Sequence, residues 1–233
     1  MCTRFVFNGR DTITGFNFDI DPEVWKHKII KEEDCFFIGI LRPDGNYHAY
    51  HGINKNGNVG TLLYVHGNIN GAYQNTPQIV TIADLTEQFI KGQISFDDAV
   101  DIVKTKKVVY APDATMQAML SDINGRVLII EPGIGFRKEH EKYSLMTNYS
   151  LLKPESTLPF IVLGDDRYEK AMNVLDKHTN EFSISDAFGL LKAVHQKGKR
   201  ATRVSFVYSA KEKAVYYVEN NMFEKIRKFV FAE

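Results

Sequence analysis

The chain has 233 residues, 44% hydrophobic and 25% charged, which is enough apolar material for one large core without disulfide staples. Lys plus Arg and Asp plus Glu both number 29, so the basic excess usual in a nucleic-acid binder is missing. Two cysteines without a C-x-x-C pair argue against a disulfide scaffold and a thiolate zinc site, and the apolar runs are too short for a signal peptide or a membrane span, so a reduced, cytoplasmic setting is expected.

The predicted elements open with strands over 2–7 and 12–20, joined by Asn8-Gly9-Arg10-Asp11, a hairpin signal. Strands over 35–41 and 47–53 follow, joined by Arg42-Pro43-Asp44-Gly45-Asn46, and then a strand over 59–67. Apolar residues at Ile82, Leu85, Phe89 and Ile90 have helical spacing, and a second helix is predicted from Ser95, a fair N-cap followed by acids. Residues 115–133 read as a hairpin turning at Asn124-Gly125. The alternating run 137–142 reads as a solvated turn, and 149–164 as a long loop. Helices over 166–178 and 183–196 precede a strand meander at 203–209, 214–219 and 225–231. Strands, a helix pair, strands, a helix pair and strands make an α+β fold with two antiparallel sheets face to face and helices outside, in a single domain spanning 1–233.

Several short motifs occur in one order along nearly the whole chain. They are Met1-Cys2-Thr3, Gly15-Phe16-Asn17-Phe18-Asp19-Ile20, Gly52-Ile53-Asn54-Lys55-Asn56-Gly57, Ser121-Asp122-Ile123-Asn124-Gly125 with a strand ending at Glu131, Met146-Thr147-Asn148-Tyr149 and Asp166-Arg167-Tyr168. In this the chain resembles the cysteine N-terminal-nucleophile hydrolases: choloylglycine hydrolases, penicillin V acylases and acyl-coenzyme A:6-aminopenicillanate acyltransferases. The resemblance implies a four-layer αββα sandwich, hydrolysis of a linear amide C–N bond, no cofactor and assembly as dimers or tetramers. It implies Cys2 as nucleophile, Asp19 holding the α-amine, Asn148 donating to the oxyanion, Arg167 as a fixed cation beside the thiol, and Tyr64 near a second oxyanion position. Phe16 stands where bile salt hydrolases and penicillin V acylases carry arginine, which points to the acyltransferase-like branch and to an apolar acyl group.

The chemistry is coherent without the family. Removal of Met1 would leave thiol and amine on one residue; a free α-amine titrates at roughly 7.7–8.0, suited to shuttling the thiol proton. The cation is expected to depress the thiol pKa. A hairpin turning near Gly9 puts Cys2 opposite residues 16–17, with Asp19 just beyond. Phe16, Trp25 and 149–164 are candidate substrate lining. Each residue also has a bland reading: Cys2 a small residue near a terminus, Cys35 a core residue, Asp19 a turn cap, Asn148 a loop residue. His48 and His51 fall on opposite faces of a strand, which argues against a metal site. The expected partner is a small-molecule N-acyl amide, with neither nucleic acid nor membrane. Two alternatives stand beside the hydrolase: a non-catalytic binding domain of the same fold, and an acyltransferase using an amine acceptor.

Overall fold

The computed structural model describes residues 2–232. In chain order the strands are β1 (Thr3–Asn8), β2 (Thr12–Asp19), β3 (His27–Lys31), β4 (Cys35–Leu41), β5 (Tyr47–Asn54), β6 (Val59–Tyr64) and β7 (Ile79–Thr81). Helices α1 (Ile82–Ile90) and α2 (Phe96–Thr105) follow, then β8 (Lys107–Val109), β9 (Met116–Ser121), β10 (Val127–Glu131), β11 (Gly135–Glu139) and β12 (Tyr143–Met146). Helices α3 (Arg167–Lys177) and α4 (Ile184–Ala193) lead to β13 (Thr202–Ser209), β14 (Ala214–Glu219) and β15 (Arg227–Val230).

Two antiparallel sheets form the centre, ordered β12-β1-β2-β13-β14-β15 and β11-β10-β9-β6-β5-β4-β3. Side chains alternate along a strand, so each strand of the first sheet feeds two cores. Val6, Phe16, Phe18, Val204 and Phe206 point toward the second sheet and meet Phe36, Ile38 and Leu120 there. Phe5, Phe7, Ile13 and Val207 point the other way, under Ala171 and Leu175 of α3 and Phe188 and Leu191 of α4. Helices α1 and α2 cover the outer face of the second sheet, where Cys35, Phe37 and Ala49 lie under Ile90. The four layers are helix, sheet, sheet and helix, as the sequence implied.

Local signals explain most boundaries. Ser95 with Asp98, and Ser183 with Asp186, form reciprocal capping boxes that satisfy the orphan amides opening α2 and α4. Gly125 adopts φ +76° in the β9–β10 turn, a conformation that suits glycine, and a Cβ there would run into the side chain of Asn8. The run read as a solvated turn is partly strand: Arg137–Glu139 belongs to β11, which pairs with β10 at a sheet edge, where exposed charges discourage further pairing.

Candidate active site

Four neighbouring strands of the first sheet, β12, β1, β2 and β13, deliver much of the site by register. Thr3 pairs with Asn17 across β1 and β2, so Cys2 lies level with Phe18, one residue beyond the expected 16–17, and Asp19 closes that strand. Arg4 pairs with Met146 on the other side of β1, which brings Asn148 beside Cys2 just past the end of β12. Thr202 pairs with Asp19 at the start of β13. Cys2, Arg4 and Val6 alternate onto the face between the sheets, so the thiol sits at the open end of that seam.

The polar contacts are dense. The Cys2 backbone N–H donates to Asn148 Oδ1 at 2.6 Å, and Asn148 Nδ2 donates across to the carbonyl of Tyr64 in the second sheet at 2.6 Å. Arg167 Nη1 donates to the Cys2 carbonyl at 2.8 Å, and its Nη2 to Asn148 Oδ1 at 3.3 Å. Asp19 Oδ1 accepts from the Thr202 hydroxyl at 2.6 Å, and its Oδ2 stands 3.7 Å from Arg167 Nη1. The Cys2 sulfur lies 4.0 Å from the Asp19 carbonyl. Gln117 Nε2, from β9, donates to the carbonyls of Thr147 and Tyr149 and fixes the backbone around Asn148.

Burial sets the electrostatics. Burial pushes the Cys2 thiol above its ordinary range, the Asp19 charge adds to this, and Arg167 opposes it without prevailing. With Met1 in place, loss of hydration thus outweighs the nearby cations; the expected depression concerns the thiol beside its own free α-amine, which only removal of Met1 creates. Burial also raises Asp19 to about 7, against the Thr202 bond and the Arg167 charge. Burial alone would lower Arg167, but its bonds to Asp165 outweigh it and hold the guanidinium above its ordinary value. Cys35 is buried under α1, bonded to Glu32 and pushed up to about 12, in keeping with the core role.

The thiol opens into a cavity of about 1110 Å³ walled largely by apolar and aromatic residues, among them Phe18, Trp25, Tyr50, Leu62, Tyr110 and Phe160. Cys2, Asp19, Asn148, Arg167 and Tyr64 therefore converge, Tyr64 through its carbonyl while its side chain is 57% exposed at the cavity wall. Trp25 lines the cavity and stacks near Arg42, and Tyr149, Thr157, Phe160 and Val162 represent the long loop. Phe16 does not line it. It is fully buried one strand pair deeper, between His51, Phe18 and Phe206, and Phe18 takes the wall position instead. His51 is neutral, lowered to about 3 by burial, with Nδ1 accepting from Leu62 N–H at 3.1 Å. His48 lies away from it, bonded to Glu87 and Asp44, and no cluster of three or more metal-ligating side chains exists among the described residues. Sequence reasoning missed Asp165 and Thr202; the signal for Asp165 was the doubled acid before Arg167.

No family model matches the sequence, and no curated protein matches it. Solved structures do. A variant of conjugated bile acid hydrolase from Clostridium perfringens is similar at TM-score 0.74 and 12% identity, over 99% of this chain and 92% of that one. Penicillin V acylase from Agrobacterium tumefaciens is similar at TM-score 0.68 and 17% identity, over 94% and 83%. The Caenorhabditis elegans ortholog of N-acylethanolamine-hydrolyzing acid amidase is similar at TM-score 0.59 and 15% identity, over 90% and 93%. At these identities the likeness speaks for architecture, and it agrees with the layer order, the sheet topology and the cysteine at the seam: the chain has the αββα fold of the N-terminal-nucleophile hydrolases.

Proposed function

We propose that this chain hydrolyses a linear amide C–N bond of an N-acyl substrate, with Cys2 as nucleophile once Met1, which lies outside the described residues, has been removed. The observation that carries this reading is the opening of the Cys2 thiol into a large apolar cavity, while its nitrogen is held by Asn148 Oδ1 and its carbonyl by Arg167.

In the first step the α-amine of Cys2 takes the thiol proton, and the sulfur attacks the acyl carbon. The carbonyl π electrons move onto oxygen. Asn148 Nδ2 has two protons; one is used on the Tyr64 carbonyl and the other can meet this oxyanion. Collapse breaks the C–N bond, and the ammonium of Cys2 returns its proton to the leaving nitrogen. An acyl-thioester remains, which water attacks with the same amine as base, releasing a carboxylic acid. Asp19 is placed to orient the amine by a charge-assisted bond, and Arg167 fixes the Cys2 backbone while balancing charge. The cavity favours an aliphatic or aryl-acetyl acyl group over an anionic one beside the sulfur.

The test is intact mass combined with turnover of acyl amides graded in chain length. Mature protein should begin at Cys2, and Cys2→Ser should keep only a trace of rate. Active protein that retains Met1 would sink the mechanism, because no amine would exist on the nucleophile. Added amines appearing in the product would identify an acyltransferase instead.

A further inference from the structure

Arg167 is the buried cation of the site, yet its nearest carboxylate is not Asp19. Asp165 grips it as a fork: Nε donates to Oδ1 at 2.8 Å and Nη2 to Oδ2 at 2.7 Å, with both side chains under 5% exposed. Such a pair fixes the guanidinium plane and spends two of its five N–H groups. What remains points at the Cys2 carbonyl, Thr3 Oγ1, Asn148 Oδ1 and, at 3.7 Å, Asp19. Asp165 is held in turn by the Tyr149 hydroxyl, which donates to Oδ2 at 2.6 Å and accepts from Val162 N–H at 3.3 Å. Val162 and Tyr149 both line the cavity.

We propose that Asp165 is a positioning residue for the nucleophile: it sets the plane and the uncompensated charge of Arg167 beside Cys2, and through Tyr149 it links that setting to the rim of the substrate cavity. Among the described residues the charged side chains facing Cys2 are Asp19 from β2 and Arg167 from α3, joined by the α-amine of Cys2 itself once Met1 is removed; β13 contributes the neutral Thr202, and the loop after β12 contributes the neutral Asn148. Asp165 faces Arg167 from the segment before α3, with Tyr149 behind it. Removing the Asp165 charge leaves more of the Arg167 charge for Asp19 and the thiol. Substrate against Tyr149 and Val162 would press on the same chain of bonds.

The rate arm of this inference rests on the amidase reading; its labelling and spectroscopic arms do not. Iodoacetamide labelling of Cys2 is followed by peptide mass against pH in the whole chain, with thermal unfolding as a check on folding. Asp165→Asn should move the half-labelling pH of Cys2 down by about half a unit or more, and Asp165→Glu should return it toward the parent. With an amide substrate, Asp165→Asn should lower kcat about tenfold at nearly constant KM, since orientation rather than substrate contact is lost. A folded Asp165→Asn with the parent's labelling profile and kcat would overturn the proposal. Where that variant does not fold, the parent decides. Nitrogen-15 NMR should show a resolved, slowly exchanging Arg167 Nε–H, lost in Arg167→Lys and exchanging faster in Tyr149→Phe; fast exchange in the parent overturns the fixed fork. A labelling shift in a chain that cleaves no amide would remove the amidase reading and leave the Asp165 assignment standing.

Discussion

Two arginines are almost wholly withdrawn from water, and their surroundings are opposite. Arg167, at the cavity end of the sheet seam, has a two-bonded carboxylate, a second carboxylate at 3.7 Å and bonds to Cys2 and Asn148. Arg4, two residues from Cys2 and on the same face, bonds the carbonyl of Phe5 and the Ser121 hydroxyl, and its Nε has no hydrogen-bond partner among the described residues. Among the described residues no carboxylate forms an ion pair with it, and burial lowers it to about 9. A buried charge that recruits acids and ties several strand ends together has its lost hydration offset by those bonds. One that sits unpaired among apolar side chains costs stability without a visible return at the site.

The sharpest way to break this contrast is Arg167→Met. Removing one partner strands Asp165, so stability should fall by about 3–5 kcal/mol, and hydrolysis should drop below detection. Near-parental denaturant midpoint and rate would show that Arg167 is as dispensable as Arg4. Asn148→Ala removes the proposed oxyanion donor together with the acceptor that Cys2 and Arg167 share, and the rate should fall about 10²–10³-fold in steady-state assays. Unchanged kcat would move the oxyanion site elsewhere.

Arg4→Met runs the other way and should raise stability by about 1–4 kcal/mol while leaving hydrolysis intact. Its pH dependence carries a sign. The folded value of Arg4, about 9, lies below that of the unfolded chain, so the unfolded state holds the proton more tightly. The penalty is therefore complete below about 9 and fades as pH rises above it, and the gain from Met should fade with it. A loss of stability at pH 7 would mean that the bonds to Phe5 and Ser121 exceed the desolvation cost. The smallest effect is expected of Tyr64→Phe, less than about twofold in rate, because Tyr64 meets Asn148 through its carbonyl, which the substitution keeps. A large loss would place the hydroxyl in the reaction.

The residues that converge at Cys2 were legible through the ordered motifs that carry the resemblance; local strand register supported Asp19 alone, through the first hairpin. The hairpin brought Asp19 toward Cys2, with a one-residue error that came from the three-residue loop Gly9–Asp11; the pairing of β1 with β12 that brings Asn148 there is long-range and was not read from the sequence. Asp165 and Thr202 were missed for different reasons: Asp165 pairs with Arg167 only two residues on, but an acid before a helix reads as an ordinary helix-start residue, whereas Thr202 opens a strand and its partner Asp19 lies 183 residues away along the chain. Phe16 misled because it shares a face with Phe18, and alternation cannot say which of two aromatics reaches the open end. Strands β3 and β11 escaped notice because edge strands rich in Lys, Arg and Glu lack the apolar alternation that marks a half-buried strand.

The carboxylate that ends β10 divides the long loop after Asn148 into two mechanical halves. Glu131, 2% exposed, accepts from Leu151 N–H at 2.6 Å, from Leu152 N–H at 3.2 Å and from the Ser150 hydroxyl, so a strand of the second sheet clamps the loop that leaves the first. Farther on, Leu158, Phe160, Ile161, Val162 and Leu163 are exposed. Amides 151 and 152 should therefore exchange with deuterium as slowly as strand amides, although they lie in irregular backbone, while 158–163 exchanges fast and offers proteases their first cut. A single nick there would leave Cys2 and Asn148 clamped in place and cut the chain between them and Arg167, so the nicked chain would stay folded while the proposed hydrolysis reported how firmly the bond from Tyr149 to Asp165 holds the severed end.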